Sequence, residues 1–133
     1  MAQIVPDSGH AADKLKLLLV DDDQAVIDFM GVKLAKYFRV IGTTNPSSVV
    51  GLAGQERPDV ILCDINMPAM KGDEVAFLLS ENDITQNIPL IYLTALLGSH
   101  EAAELDDMFG GHPAISKSAP LQALLDCIHA VLR

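Results

Sequence analysis

Short apolar runs alternate with longer amphipathic stretches along most of the chain. Each run is four or five residues long and mostly apolar, which is typical of strands that are buried on both faces of a sheet. The pattern predicts strands over residues 17–20, 40–43, 60–63, 89–93 and 113–116.

The stretches that follow these runs carry apolar residues at the three- and four-residue spacing of an amphipathic helix. This spacing predicts helices over residues 23–37, 46–53, 74–80, 100–108 and 119–132. We expect Tyr37 on the inward face of the first helix and Leu78 on the inward face of the third. Asp23 and Asn45 are expected to cap the first two helices.

Strict alternation of strands and helices indicates an α/β fold, a doubly wound five-stranded parallel sheet with helices on both faces. Residues 1–14 precede the first apolar run and are predicted to form a flexible tail. Residues 15–133 are predicted to form one domain.

Composition narrows the classes of function. Half of the 133 residues are hydrophobic, which is enough for a full core. The net charge of −9 and the pI of about 4.6 argue against nucleic-acid binding and against docking on anionic membranes. The two cysteines, Cys63 and Cys127, have no metal-binding spacing, and no segment has the pattern of a signal peptide or a membrane span. We therefore expect a cytoplasmic protein with no direct nucleic-acid or membrane partner.

Polar side chains follow several of the predicted strands at the point where each strand ends. Parallel strands end at one edge of the sheet, where ligands of such sheets bind. The residues expected at this edge are Asp21, Asp22, Asp64, Thr94 and Lys117. Carboxylate oxygens suit Mg²⁺, with Mn²⁺ as the alternative ion. Thr94 and Lys117 suit phosphoryl oxygens, and Asp64 is the best candidate for a nucleophile that forms an aspartyl phosphate.

Four segments, in order, give the chain a family resemblance. They are LLLVDDD at residues 17–23, DVILCDINMPAMKGDE at 59–74, IYLTA at 91–95 and ISK at 115–117. Together they resemble the receiver domain of two-component response regulators over residues 16–132. The resemblance implies a flavodoxin-like (βα)5 fold. It also implies a phosphoryl transfer to Asp64 from a histidine kinase or a histidine phosphotransfer protein.

The resemblance assigns further roles by position. Asp22 and Asp64 resemble direct metal ligands, Asp21 resembles a ligand acting through water, and Asn66 resembles the residue whose backbone carbonyl completes the set. The residues implied to contact the phosphoryl group are Thr94, Ala95 and Lys117. Gly72 and the pair Met67-Pro68 also match the family pattern.

Two positions depart from the family pattern. Lys117-Ser118 replaces the usual Lys-Pro, and a non-proline cis peptide costs about 3 kcal/mol, which favours a trans bond here. Ser118 could then cap the last helix. Ala114 replaces the aromatic partner of Thr94 in the family's switch, so the response of the output face is left open.

The resemblance also implies how the chain acts on others. With no DNA-binding output segment, it is expected to act on a downstream protein and to catalyse only its own phosphorylation and dephosphorylation. The family's partner surface, which also allows a homodimer, corresponds to residues 100–108, 113–116 and 119–132.

Two alternatives remain at this point. One is a degenerate receiver that binds partners without being phosphorylated. The other is a small haloacid-dehalogenase-type phosphatase that uses Asp21-x-Asp23 and the later pair Asp106-Asp107.

Overall fold

Five parallel strands form the centre of the computed structural model, which describes residues 3–4, 14–95 and 111–132. The described strands are β1 (Gln3–Ile4), β2 (Leu15–Val20), β3 (Phe38–Thr43), β4 (Val60–Asp64), β5 (Leu90–Thr94) and β6 (Ala114–Ser116). The described α-helices are α1 (Gln24–Leu34), α2 (Val49–Glu56), α3 (Gly72–Ser80) and α4 (Leu121–Val131). A 3-10 turn over Pro46–Ser48 precedes α2. The predicted α/β fold is confirmed, and the predicted helix over 100–108 lies outside the described residues.

The sheet has the strand order β1-β3-β2-β4-β5-β6, and β1 was not predicted. Gln3 and Ile4 pair antiparallel with Gly42 and Ile41 on β3. The edge of β3 offers unpaired backbone groups that a short segment can bond. A pair of two residues leaves no periodicity in the sequence, so this antiparallel addition could not be predicted, whereas the five predicted parallel strands are confirmed.

Successive residues of the central strands face opposite sides of the sheet, as strand geometry requires. Leu17 and Leu19 pack in one buried cluster with α1 and α4. Leu18 and Val20 pack in a second cluster with α2 and α3. The sheet is therefore covered on both faces. Within the part of the chain that the structure describes, every helix is too short or too polar to cross a bilayer.

Two predicted inward residues are exposed. Tyr37 is 45% exposed because α1 ends at Leu34 and the neighbouring Phe38 fills the core in its place. Leu78 is 41% exposed because Val75 and Leu79 alone form the buried stripe of α3. In each of these two helices the prediction assigned one residue too many to the face that packs on the sheet.

The predicted caps are confirmed. The Asp23 carboxylate accepts the Ala25 backbone N–H at 2.9 Å at the start of α1. The Asn45 side chain accepts the Ser47 backbone N–H at 3.1 Å and precedes Pro46. Each cap satisfies a backbone donor that has no partner within the helix.

Gly72 allows α3 to begin directly against β4. A β-carbon at this position would lie 2.7 Å from the Asp64 carbonyl oxygen and 2.8 Å from the Ile65 α-carbon. Neither neighbour is a flexible side chain, so only glycine fits without moving the backbone that carries Asp64.

We expect Gly72→Ala to lower the free energy of unfolding by about 1–3 kcal/mol, because the new methyl group overpacks against backbone. Gly51→Ala in α2 is the matched control, since a β-carbon there meets nothing within 4 Å. That variant should gain about 0.5–1 kcal/mol from helix propensity. Urea unfolding followed by circular dichroism measures both, and equal stabilities would contradict the packing argument.

Candidate functional site

Three aspartates come together at the carboxyl edge of the sheet. Strands β2 and β4 are neighbours, with Val20 opposite Cys63, so the residues that end them are adjacent. One carboxylate oxygen from each of Asp21, Asp22 and Asp64 lies within 4.8 Å of the others. Asp21 and Asp64 are buried, whereas Asp22 is exposed.

Lys117 provides the positive charge of this edge. Its Nζ lies 2.7 Å from Asp21 Oδ2 and 3.4 Å from Asp64 Oδ1. Its backbone N–H donates to the Thr94 carbonyl at 2.8 Å, which fixes the start of the side chain beside β5. One ammonium therefore faces two buried carboxylates, and the cluster carries excess negative charge.

The burial of these charges shifts two pKa values. Burial raises the pKa of Asp64, the charge of Asp21 raises it further, and Lys117 and the Asn66 backbone N–H offset only part of this. For Lys117, burial lowers the pKa, but the hydrogen bond and charge of Asp21, with the charge of Asp64, outweigh burial and raise it. Lys117 is therefore held as a cation, and Asp64 is an unusually basic carboxylate.

The donor set fits a hard divalent cation. Asp21 Oδ2 is buried, and among the described residues its one close partner is the Lys117 ammonium at 2.7 Å. Such an oxygen can accept a metal-bound water or a metal ion. The nearby Cys63 is not a thiolate, because burial raises its pKa and its thiol donates to the Asp64 carbonyl at 3.4 Å. Oxygen donors alone favour Mg²⁺ or Mn²⁺ over a softer metal.

Asn66 lies in the loop directly after β4. Its backbone N–H makes a long contact of 3.4 Å with Asp64 Oδ1, and its side-chain oxygen accepts the Lys71 Nζ at 2.9 Å. The role of its backbone carbonyl as a metal ligand stays a prediction. The sequence did not predict that Lys71 lies at this edge. Residues that are five apart in a loop have no regular geometry, so their spacing does not indicate a contact.

Thr94 and Ala95 lie at the end of β5, next to Lys117. Thr94 is buried at 4% exposure and Ala95 is exposed. A cavity of about 400 Å³ opens here, and its lining residues are Phe29, Lys33, Ala95, Lys117 and Ser118. The contribution of α1 to this cavity was not predicted. The sequence indicates this contribution only through the four-residue spacing of Phe29 and Lys33, which puts both on one side of α1. The Lys33 Nζ lies 4.8 Å from the centre of the Phe29 ring.

Ser118 follows Lys117 in a trans peptide, as the absence of proline favours. Ser118 does not cap the last helix, because α4 begins at Leu121 after Pro120. Its hydroxyl instead lies 2.8 Å from the Ser116 hydroxyl, and its backbone N–H donates to the same Ser116 oxygen at 3.1 Å. These contacts form a local turn around the site lysine.

Ala114 occupies the position at which the family pattern has an aromatic residue. Its partner in the neighbouring strand is itself aromatic. Tyr92 of β5 is the register partner of Ala114 and is 2% exposed. The ring of His112 meets the Tyr92 ring edge-on, with centroids 5.7 Å apart. Burial, with the nearby Cys63 and Asp73, raises the pKa of Tyr92 to about 12, so the phenol stays neutral. A large side chain on β5 thus faces a small one on β6.

Comparison with known proteins agrees with this geometry. The profile of the response regulator receiver domain family matches residues 17–129. The chain is 31% identical over 122 residues to protein PilH of Pseudomonas aeruginosa, covering 88% of this chain and 97% of PilH. It is 34% identical over 84 residues to response regulator PleD of Caulobacter vibrioides, covering 62% of this chain but only 18% of PleD.

A solved structure gives the same result. A response regulator from Desulfuromonas acetoxidans superposes with a TM-score of 0.72 at 27% identity, covering 89% of this chain and 96% of that one. The chain belongs to the response regulator receiver domain family, as its four segments predicted. The expected flavodoxin-like fold is likewise confirmed.

We expect Lys117→Met to destabilise the metal-free protein by about 3 kcal/mol, because two buried carboxylates lose their shared cation. Mg²⁺ should restore part of the loss by supplying positive charge. Lys71→Met removes an exposed lysine next to the same loop and should change stability by about 0.5 kcal/mol or less. Denaturant unfolding with and without Mg²⁺ tests this, and equal effects of the two substitutions would contradict it.

We expect Ala114→Phe to lower stability by about 1–3 kcal/mol, since the space beside it is filled by Tyr92. The double variant Tyr92→Ala with Ala114→Phe should recover part of the loss relative to Tyr92→Ala alone. Thermal unfolding of the four proteins gives the coupling energy, and simple additivity would show that the two side chains do not compete for one space.

Proposed function

We propose that this chain is a phosphoaccepting signalling module in which Asp64 receives a phosphoryl group from a histidine kinase or a histidine phosphotransfer protein. The observation that carries the proposal is the Lys117 ammonium, which contacts both Asp21 and Asp64 beside the exposed Asp22. This arrangement has a nucleophile, a cation for phosphoryl oxygens and a set of metal ligands in one place.

In the proposed reaction an oxygen of the Asp64 carboxylate attacks the phosphorus of a phosphohistidine. The bond between phosphorus and the imidazole nitrogen breaks, and the electron pair stays on the imidazole of the donor. The product is an acyl phosphate on Asp64. Because burial and the charge of Asp21 raise its pKa, the Asp64 carboxylate is a better nucleophile than an ordinary aspartate.

Asp21, Asp22 and Asp64, with the Asn66 backbone carbonyl, would hold Mg²⁺ or Mn²⁺ at this site. The bound ion would offset the negative charge shared by the carboxylates and the incoming phosphoryl group. Lys117 would neutralise the same charge, because its ammonium can pass from Asp64 to a phosphoryl oxygen while it keeps its contact with Asp21.

Thr94 and Ala95 would contact the phosphoryl group from the end of β5. Thr94 contributes a hydroxyl and Ala95 a backbone N–H, both directed at phosphoryl oxygens in the product. Thr94 would also carry the conformational response, with Tyr92 and not residue 114 as its aromatic neighbour. The donor histidine would approach through the cavity between α1 and Ser118, where Phe29 and Lys33 form the outer wall.

The proposal includes a downstream protein that recognises the phosphorylated form, in the cytoplasm, and no catalysis beyond self-phosphorylation and self-dephosphorylation. A homodimer through the surface that includes β6 and α4 remains part of it. The phosphatase alternative is not retained, since the chain belongs to the receiver family. In addition, the Asp23 carboxylate caps α1.

A degenerate receiver is the second candidate function. The departures at Ser118 and Ala114 favour it, because they alter the lysine turn and the switch. It would bind its partner equally well with and without a phosphodonor.

The test is the intact mass of the protein after incubation with acetyl phosphate and Mg²⁺. We expect one phosphoryl adduct, absent without the metal and absent in Asp64→Asn. Asp23→Asn is the matched control, since asparagine caps helices as well as aspartate, and it should be phosphorylated normally.

Loss of the adduct in Asp23→Asn would contradict the assigned ligand set. No adduct in the unmodified protein, together with no binding of beryllofluoride and Mg²⁺, would replace the proposal with the degenerate receiver.

A further inference from the structure

Helix α3 has exposed apolar residues on its solvent side. Glu74, Phe77, Leu78 and Glu81 are spaced by three and four residues and are all exposed. Phe77 is 61% exposed and Leu78 is 41% exposed. Ile84, which follows in the next turn of chain, is 54% exposed. We call the surface formed by these five residues the α3 face.

The core does not account for these side chains. Val75 and Leu79 already bury the inward side of α3 against the sheet. Phe77 and Leu78 are not part of that cluster, and their exposure leaves apolar area in water. Contiguous apolar residues with a polar rim are typical of interaction sites.

The charge around the α3 face is of one sign. Two of its five residues, Glu74 and Glu81, are acids, and the exposed acids Asp73 and Asp83 directly precede Glu74 and Ile84 in the chain. Lys71, one turn before Glu74, is the nearest cation along the described helix, and its ammonium is engaged by the Asn66 side chain at 2.9 Å. The apolar centre is therefore rimmed by carboxylates.

The second exposed apolar pair in a described helix gives a direct contrast. Phe29 and Val32 on α1 are 62% and 68% exposed, and Lys33 lies over the Phe29 ring. On α1 an ammonium thus lies over the apolar residues and the Asp28 carboxylate is adjacent, whereas the charged residues around Phe77 and Leu78 are all acidic. A partner that is selected by charge would distinguish the two surfaces.

The α3 face carries a shallow hollow that is open to solvent. Its volume is about 380 Å³, and Asp73, Glu74, Phe77 and Leu78 line it. Phe77 and Leu78 form its apolar side, and the two carboxylates form its polar side. A leucine laid on this hollow would contact apolar side chains, with carboxylates nearby for a lysine or an arginine.

We propose that the α3 face binds a basic amphipathic helix of a partner protein. The spacing of its residues matches the ridges with which one helix packs on another. A second copy of this chain is not the occupant, because a two-fold contact would set the same carboxylates against each other and each copy has a net charge of −9. The proposal does not rest on phosphorylation of Asp64.

The test uses the full chain and a synthetic peptide of about five helical turns with leucine on one face and lysine on the other. Binding is measured by fluorescence anisotropy, and the contact surface is mapped by backbone amide NMR shifts. The experiment is run on Asp64→Asn as well, so that failure of the phosphorylation proposal does not affect it.

We expect the peptide to shift the amides of α3, and the double variant Phe77→Ser with Leu78→Ser to weaken binding about tenfold or more. Glu74→Gln with Glu81→Gln should weaken it about threefold or more and reduce its salt dependence. The matched control, Val32→Ser on α1, is 68% exposed in the unmodified protein and should leave binding unchanged. All these side chains are exposed, so the variants are expected to fold, and circular dichroism verifies it.

Three outcomes would overturn the proposal. The first is equal weakening by the α1 and α3 variants, and the second is equal binding of a peptide with glutamate in place of lysine. The third is a dimer in sedimentation equilibrium that the α3 variant dissolves, which would make a second copy the occupant.

Discussion

The ion pair that joins one lysine to two buried aspartates is the interaction on which the site depends. Asp21 and Asp64 are each placed by a buried strand, and their mutual repulsion would open the edge of the sheet without Lys117. The pairing is incomplete, because one positive charge faces two negative ones. That deficit makes the site receptive to a further cation. Burial and, after it, the charge of Asp21 raise the pKa of the Asp64 carboxyl that we propose as phosphoacceptor. The same charge balance thus governs both stability and chemistry.

The register of the whole sheet determines whether the lysine and the two aspartates of this ion pair meet. Val20 pairs with Cys63, and Thr94 pairs with Ser116, so that the residues after four strands meet at one edge. A slip of one residue in any strand would turn the following side chain to the other face. The buried apolar clusters on both faces oppose such slips, because they pack the central strands against helices on each side. The core therefore fixes the positions of the charges at its edge.

The sequence predicted the elements whose apolar residues recur at regular spacing, and the polar residues that follow the strands. The aspartates, the lysine and the two helix caps follow from position alone, and the structure brings Asp21, Asp22, Asp64 and Lys117 together. Tertiary packing decided the rest. Leu78 fits the inward spacing of α3, yet two other side chains fill the sheet contact. The pairing of Tyr92 with Ala114 joins two strands that are distant in sequence, and β1 is a two-residue addition at the edge of the sheet. Neither feature produces a regular spacing of residues that could be recognised in a single sequence.

The residues proposed for phosphoryl transfer and those proposed for the switch are held in place by different features of the structure. The groups proposed for phosphoryl transfer lie at strand ends, where backbone register fixes them. The features that depart from the family pattern lie in side-chain packing around them. Tyr92 occupies the space beside Ala114 from within the same strand that carries Thr94. A movement of Thr94 would therefore act first on β5 and on the ring of His112, and not on an aromatic residue at position 114. The phosphoryl site can thus be retained while the path from it to the surface changes.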